Sequence, residues 1–356
     1  ANVLADLDEV INGNYLPTSY DADNKGRITR WAAMAIKAKI YLFEGNWTQV
    51  KNITSTIMTE GGFKLFGSYA GLFEIANEYN SEVILDAQYR PTSREHQMMY
   101  VFLPATLWIF PAFSFAGLVD SYIMLDGKTI KETGTSFDES HPYANRDPRL
   151  KATVMYTGNS YTLIDGTEVV INCEKGEGKD GYGVGSDCSA TGYYIKKYWD
   201  NTYRATLYSG LNPILIRYAD ILLMNAEALA ELGELDKTAW DATIKPIRDR
   251  AGFTLASALE FPEGASKDKL IEIVRNERRS ELALEGHRHK DIIRWRIADD
   301  VLNGWCHGLK TNEVVGTDNG YVRVENRAFN ANRHYLWPIP QAERDLNGNL
   351  VQNPNW

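Results

Sequence analysis

The sequence predicts a mainly α-helical protein. In the predicted fold, tetratricopeptide-like helical pairs form a scaffold that carries a large loop-rich insert with short β-strands. Three blocks of the 356 residues repeat apolar side chains at three- and four-residue steps, the spacing of an amphipathic helix. Two of these blocks share a second spacing. The long segment between them is rich in Gly, Pro, Asn, Asp and aromatic residues, which is the composition of turns and short strands.

The three helical blocks begin at Gly26, Asn212 and Lys267 and each ends near a glycine. Glycine ends helices well because it tolerates a left-handed backbone. We expect one domain, 1–356, made of five successive segments. These are a first helical pair (26–62), a loop-rich ligand-facing insert (63–211), a second pair (212–252), a helix pair with an ion-pair network (266–296) and an extended C-terminal wrap (297–356).

The first two blocks place similar residues at the same intervals. The matched positions are Ala38, Tyr41, Gly45, Trp47 and Val50 in the first block and Ala226, Leu229, Gly233, Leu235 and Thr238 in the second. This spacing is typical of tetratricopeptide repeats, in which the small residue lets two helices approach closely and the glycine forms the turn. The alternative is an ordinary helical hairpin with a coincidental match. Two copies in one chain favour the repeat.

Composition and short motifs exclude several classes of protein. The formal net charge of −9 argues against a nucleic-acid partner, because phosphate-backbone binding needs clustered Lys and Arg. The uncharged stretch 98–119 contains Pro104 and Pro111, so we expect an extended, partly buried loop there and no membrane span. Cys173 and Cys188 flank a glycine-rich loop, and the sequence leaves open whether they are bridged or free.

Short motifs that resemble cofactor and metal sites lack the neighbouring residues that such sites need. "GEGKDG" (176–181) matches a dinucleotide fingerprint, but no apolar helix pattern follows it, and acidic side chains around it would repel phosphate. "DADNKG" from Asp21 lacks two of the calcium ligands of an EF-hand loop, so we interpret it as a turn before a helix. We expect no cofactor and no metal, and nothing in these motifs compels an enzyme.

The stretch "ERRSELALEGHRHKDIIRW" (277–295) is the most charged part of the chain. We expect Gly286 to end one helix, and Ile292, Ile293 and Trp295 to point inward from a second. His287 and His289 lie two residues apart, on different helix sides, and do not share a metal. The opposite charges predict a structural network that clamps two helices. The expected pairs are Arg278–Glu281, Glu285–Arg288, Arg288–Asp291 and Asp291–Arg294.

That stretch also carries a resemblance. "RNERRSELALEGHRHKDIIRW" and "YLWPIPQAERDLNGNLVQNPNW" resemble the C-terminal signature of the SusD/RagB family. "GRITRWAAMAIKAKIYLFEGNW", "GLVDSYIMLDGKTI", "HPYANRDPRL", "NPILIRYADILLMNAEALAELG" and "IRDRAG" are similar to earlier family segments, in the same order. The resemblance implies a tetratricopeptide-like fold and a non-catalytic lipoprotein of the outer-membrane surface of Bacteroidetes. Such proteins capture glycans, or peptides in the RagB branch, and pass them to a SusC-like TonB-dependent transporter.

The chain departs from the family pattern at its start. Family chains carry a signal peptide, a lipidated cysteine and further helices before the segment that matches Asn2. The opening residues "ANVLADLDEVINGNYLP" have neither a basic nor an apolar leader region. We therefore expect the N-terminal part of the family chain, with some of its ligand contacts, to be absent from this sequence. Membrane attachment through a lipid anchor rests on the resemblance.

Candidate ligand residues follow from the chemistry of sugars. A sugar ring is gripped by an aromatic face with hydrogen-bonding side chains beside it. Two loop clusters of the insert offer this combination. They supply Tyr89, Arg90 and Trp108 in the first, and Trp199, Asn201, Tyr203 and Arg204 in the second. Core packing is the alternative for each tryptophan. We assign Trp31, Trp295 and Trp337 to the core, and expect Tyr335 and Trp356 to pack onto the helices.

Two hypotheses of different classes remain. The first is a non-catalytic glycan-binding protein, favoured by the aromatic residues of the insert. The second is a repeat scaffold that binds only peptide or protein, as in RagB-like peptide capture. A groove lined by Asn and Lys or Arg would favour the second. A hydrolase would need two carboxylates at a set distance in a cleft.

Overall fold

The computed structural model of this protein describes residues 2–98, 116–163, 165–183, 185, 188–199, 208–312 and 314–356. Helices dominate these residues, and the strands form small sheets, so the predicted fold class is confirmed. The helices are α1 (Asn2–Asn12), α2 (Arg30–Glu44), α3 (Trp47–Glu60), α4 (Ala116–Ser121), α5 (Pro148–Thr153), α6 (Tyr218–Leu232), α7 (Lys237–Ala242), α8 (Ile244–Ala251), α9 (Ala256–Leu259), α10 (Lys267–Glu281), α11 (Arg288–Arg294), α12 (Ala298–Val301) and α13 (Gln341–Leu346).

The two matched spacings produce the same local structure. Gly45 ends α2 and Gly233 ends α6, both with a left-handed backbone at φ 71° and 75°. The amide after each glycine donates to a carbonyl in the last helical turn, Asn46 to Tyr41 at 2.9 Å and Glu234 to Leu229 at 2.7 Å. These bonds satisfy carbonyls that a helix end would otherwise leave unpaired. The repeat spacing therefore encodes a helix–turn–helix unit in both places.

The second unit differs from the first in its returning helix. That helix is broken into α7 and α8 at Thr243, whose φ of −125° is not helical. Pro246 lies three residues after the break, in the first turn of α8. Proline is tolerated there because the first amides of a helix have no intrahelical partner. The sequence prediction of one pair over 212–252 missed this break.

The core is continuous across the helices. One cluster joins α1, α2, α3 and α6, and a second joins α6, α8 and α10. Ala38 and Ala226, the small residues of the repeat spacing, are fully buried. Their lack of bulk lets neighbouring helices pack closely, as the spacing predicted.

The strands form four small antiparallel sheets. They are β1 (Val83–Asp86) with β6 (Ile214–Arg217), β2 (Val154–Met155) with β5 (Tyr194–Ile195), β3 (Ser160–Thr162) with β4 (Glu168–Val170), and β7 (Gly304–Lys310) with β9 (Tyr321–Arg327) and β8 (Thr317–Asp318). The strands predicted near "SEVILDAQY", "KATVMYT" and "TEVVIN" are present as β1, β2 and β4. The three-stranded sheet lies where we predicted an extended wrap, so the wrap begins only after it.

Three other local predictions need correction. Helix α10 ends at Glu281 and not at Gly286, because Leu284 already takes a left-handed φ of 64°. Trp337 is 77% exposed and Trp356 39% exposed, so Trp337 is not a core residue. The end of the stretch 98–119 is helical, as α4, while residues 99–115 lie outside the described residues.

Further predictions agree with the structure. Trp31 and Trp295 are buried, as is Ile292. Asp21 caps a short 3₁₀ turn, which confirms the turn before α2. Cys173 and Cys188 are buried free thiols, and burial, then Asp180 and Glu174, raises the pKa of Cys173. No helix in the described part of the chain is long and apolar enough to cross a membrane.

Candidate functional site

The charged stretch 277–295 lies at the centre of a buried ion-pair network. Five cationic and five acidic side chains are linked in one chain of ion pairs within the described residues. They are Arg149, Lys197, Arg217, Arg248 and Arg250, and Glu82, Asp147, Glu277, Glu281 and Glu285. Charges removed from water are tolerated only when they are paired and hydrogen-bonded. The equal numbers of each sign meet this requirement.

A second network adjoins the first. Arg278 pairs with Asp220 at 2.6 Å and with Asp291 at 2.9 Å. Arg294 pairs with Asp291 at 2.9 Å and with Glu227 at 2.6 Å. Lys39 pairs with Asp220 at 2.8 Å, so the second network also contains equal numbers of positive and negative side chains.

The structural interpretation of this stretch therefore agrees with the structure, but most of the predicted partners were wrong. Asp291–Arg294 is the predicted pair that forms. Within the described residues, Arg278 pairs outside α10 and not with Glu281, and Arg288 forms no ion pair with Glu285 or Asp291. Because α10 ends at Glu281, Glu285 and Arg288 have no common helical register. The ion pairs connect elements that are distant in sequence.

The first network also fixes a segment of the insert. Lys197 Nζ donates to Glu285 at 2.7 Å, to the Ala283 carbonyl at 2.8 Å and to the Tyr69 hydroxyl at 3.0 Å. It also lies 4.2 Å from the centroid of the Phe73 ring. Burial lowers the pKa of Lys197 to about 8, against the opposing effect of Glu285.

Trp199 leaves that anchored segment toward solvent. After Lys197, Tyr198 takes a left-handed φ of 65° and inserts its ring against Phe73, at 4.8 Å between centroids. This reversal directs the half-buried Trp199 outward. Its indole Nε1 donates to the Thr162 carbonyl at 3.1 Å. Its ring packs against that of Tyr161, with 4.9 Å between the centroids and 59° between the planes. The indole is thus held in one orientation.

Trp199 borders a groove of about 560 Å³. The groove lies between the 3₁₀ turns at 71–77, helix α5, strand β3 and the segment 196–199. Its polar rim combines Glu74, Lys151, Ser160, Thr162 and Lys196, and its apolar wall is Phe73, Ile75 and Ala152. A concave surface of this size with a few polar groups is typical of small-molecule sites.

The two lysines at the rim give the groove a positive side. Lys196 Nζ donates to Asn159 at 3.1 Å and to the Ser160 carbonyl. Burial, then repulsion from Lys151, lowers the pKa of Lys196. The mouth can therefore donate hydrogen bonds to hydroxyl or anionic groups.

The structure separates the predicted ligand residues. Tyr89 and Arg90 lie on a turn beside residues 209–212, and neither borders the Trp199 groove. The rings of Tyr89 and His96 meet edge to face, with 4.7 Å between their centroids. The Arg94 guanidinium lies 5.6 Å from the centroid of the Tyr89 ring. Trp108, Asn201, Tyr203 and Arg204 lie outside the described residues.

Several groove residues were not predicted. Tyr161, Ser160 and Thr162 come from a short strand, and Lys151 from α5. Tyr161 is 2% exposed, and its ring packs against that of Trp199. No sequence signal marked them, because their role depends on the hairpin β3–β4 folding against the segment that carries Trp199.

Comparison with known proteins assigns the chain to a family. A SusD family sequence profile matches residues 111–356. The chain belongs to the SusD family. A crystal structure of a SusD-like carbohydrate binding protein from Bacteroides fragilis is similar to it with a TM-score of 0.82 and 30% identity. That match covers 98% of this chain and 70% of the other.

Two further SusD-like proteins are similar to this chain over nearly its whole length. Another SusD-like protein from Bacteroides fragilis matches with a TM-score of 0.80 and 27% identity, over 99% of this chain and 70% of that one. A SusD-like protein of Formosa agariphila is 28% identical over 95% of this chain. The chain spans 60% of that protein's length.

Proposed function

We propose that this protein is a non-catalytic glycan-binding protein of the outer-membrane surface. It holds a glycan in the Trp199 groove and delivers it to a SusC-like TonB-dependent transporter. The observation that carries the proposal is the oriented, half-buried indole of Trp199 beside a hydrogen-bonding rim. The similarity to a SusD-like carbohydrate binding protein of known structure supports it.

The geometry suits a sugar for a physical reason. A pyranose presents weakly polar C–H faces that pack on an aromatic ring, and hydroxyls that need partners at its edge. Trp199 offers the ring, while Lys151, Lys196 and Glu74 offer partners at the rim. Because the Thr162 carbonyl and Tyr161 already fix the indole, little side-chain freedom is lost on binding.

Location and delivery rest on family membership. In this proposal the chain is tethered to the outer membrane through a lipid anchor and works together with the transporter. The chain itself acts by binding, and the proposal assigns it no enzymatic step. Trp108, Asn201, Tyr203 and Arg204 remain proposed ligand contacts in addition to Trp199. Tyr89 and Arg90 do not border the groove, so we propose that they contact only a glycan that extends beyond it.

Affinity electrophoresis tests the proposal. Wild type, Trp199→Ala and Trp108→Ala are run through gels that carry a panel of soluble polysaccharides. We expect at least one polysaccharide to retard the wild type, and Trp199→Ala to abolish the retardation. Trp337→Ala is the matched control, because Trp337 is exposed and lies outside the groove. Equal retardation of wild type and Trp199→Ala would refute the Trp199 site.

A second candidate is capture of an acidic peptide. It is favoured by the two lysines at the groove rim, Lys151 and Lys196, which outnumber the acidic Glu74 there. Absence of retardation by every polysaccharide, together with binding of acidic peptides that Lys151→Gln and Lys196→Gln weaken, would support it over the glycan.

A further inference from the structure

A separate cavity of about 380 Å³ contains two arginines that stand outside both ion-pair networks. It lies between α4, the end of α10, α11 and strand β7. Arg279 and Arg288 border it, together with Trp305 and Asp120. Within the described residues, every other arginine of the stretch 277–295 has an acidic partner.

The two guanidinium groups are close enough to repel each other. Burial, and then the charge of Arg288, lowers the pKa of Arg279 to about 10. Burial also lowers the pKa of Arg288, against the opposing effect of Asp291. Arg279 donates to the Gly117 carbonyl, and Arg288 lies 5.9 Å from the centroid of the Trp295 ring. Neither contact neutralises a positive charge.

In the part of the chain that the structure describes, two acids near the cavity attract the arginines without forming an ion pair with them, Asp120 acting on Arg279 and Asp291 on Arg288. Asp291 is occupied, since its two oxygens accept from Arg278 and Arg294 at 2.9 Å each. Asp120 forms no ion pair with either arginine within the described residues. The stretch 98–119, which leads into α4, contains no acidic residue.

The other titratable groups of the cavity are neutral or already paired. Burial lowers the pKa of His287 to about 4, against the effect of Asp220, so its ring is uncharged near neutral pH. His307 bonds to Asp318 at 2.9 Å, and Arg327 pairs with Glu325 at 3.1 Å. Half-buried cations without an ion-paired carboxylate are unfavourable, and a bound anion would stabilise them.

We infer that this arginine cavity binds an anionic substituent of a glycan, either a carboxylate or a sulfate ester. Guanidinium groups present paired N–H donors that match the oxygens of such groups. Trp305, 45% exposed at the cavity rim, offers a face to the sugar ring that carries the anion. The inference rests on the proposed function and narrows it to acidic glycans.

Titration calorimetry with defined oligosaccharides tests the inference. The ligands are a uronate oligosaccharide, a sulfated oligosaccharide and a neutral β-glucan oligosaccharide. We expect the wild type to bind at least one anionic ligand, and the double variant Arg279→Gln, Arg288→Gln to bind it at least about tenfold more weakly. Arg288→Lys keeps the charge and should bind it with intermediate affinity. Arg27→Gln, at an exposed arginine outside the cavity, should match the wild type.

Unchanged affinity of the double variant for the anionic ligand would overturn the inference. Binding of the neutral ligand alone would also overturn it, while leaving the glycan-binding proposal intact. Loss of neutral-glycan binding in Trp199→Ala, with anionic binding retained, would support two independent sites.

Inorganic sulfate tests the cavity even if no glycan binds. Sulfate stabilises most proteins by exclusion from their surface, so the comparison is between variants at matched ionic strength in sulfate and in chloride. We expect sulfate to raise the melting temperature of the wild type and of Arg27→Gln more than that of the double variant. An equal rise in all three proteins would show that the arginines hold no anion.

Discussion

Two regions of this molecule have similar compositions, but most charges of the first are paired inside the protein, while the second leads to an open groove. The segment from α10 to α11 and the segment 196–199 both combine charged and aromatic residues. In the first, Glu281 and Arg278 are buried and paired within the chain. In the second, Lys197 is buried and paired, but Trp199 borders an open groove. Charge density alone therefore does not mark a binding site. The difference lies in whether the side chains find their partners inside the protein.

The largest effect is expected from breaking the buried network. Glu281 is fully buried and bonds to Arg149, Arg217 and Arg250. In Glu281→Gln these three cations lose a shared carboxylate and keep their burial. We expect the free energy of unfolding to fall by about 3–5 kcal/mol, measured by urea denaturation.

An exposed pair gives the matched control for that variant. Glu272 pairs with Lys269 at 3.2 Å, and its side chain is 61% exposed. Glu272→Gln should lower stability by less than about 0.5 kcal/mol. Similar losses in both variants would contradict the view that the buried network holds the insert on the scaffold.

The pH dependence of stability sharpens the same comparison. Burial raises the pKa of the Glu285 carboxyl, but Arg217 and Lys197 outweigh burial and hold it at about 2, below its ordinary 4.5. A carboxyl with a lower pKa in the folded chain contributes stability above its unfolded value and loses it as pH falls through the folded value. We expect stability to decline between pH 4.5 and about 2.

Urea titrations across that pH range measure the effect. Glu285→Gln should start from a lower stability and decline less steeply, because its side chain no longer titrates. Parallel pH profiles for the two proteins would show that Glu285 does not contribute to the decline.

A smaller effect is expected from the glycines of the repeat spacing. Gly45 and Gly233 both have left-handed backbones, and an added Cβ would meet no heavy atom closer than 3.9 Å. Alanine there adds conformational strain alone, so each variant should lose about 1 kcal/mol of unfolding free energy. Gly67→Ala is the control, since Gly67 has open space and no left-handed φ. Markedly unequal losses at the two glycines would break the equivalence of the two units.

Most of the fold was predictable from the spacing of apolar residues, small residues and glycines along the chain. The helical pairs, their glycine ends and the buried small residues follow from contacts between residues close in sequence. The prediction failed where an outcome depends on distant segments. Arg278 pairs with Asp220 on α6, and strand β7 requires β9 to pair with it. The prediction for Trp337 failed for the same reason, because its neighbours in sequence do not determine whether the side chain faces the core or the solvent.

The candidate site was predictable only in part. Trp199 stood out as an aromatic residue among polar neighbours in a loop, and the structure places it at a groove. Lys197 and Tyr161, which hold that residue in position, carried no sequence signal because their roles arise from Glu285 and from the β3–β4 hairpin. The arginine cavity was also missed, since Arg288 was assigned to two pairs that do not form. The end of α10 removes the helical register with Glu285, and Asp291 accepts from Arg278 and Arg294 instead.

The most direct test of the central claim measures binding and stability together in Trp199→Ala. The ligand for calorimetry is the glycan that retards the wild type most strongly in gels. We predict that affinity falls at least about tenfold, while the free energy of unfolding changes by less than about 2 kcal/mol. Wild-type affinity in this variant would contradict the assignment of the groove as the glycan site.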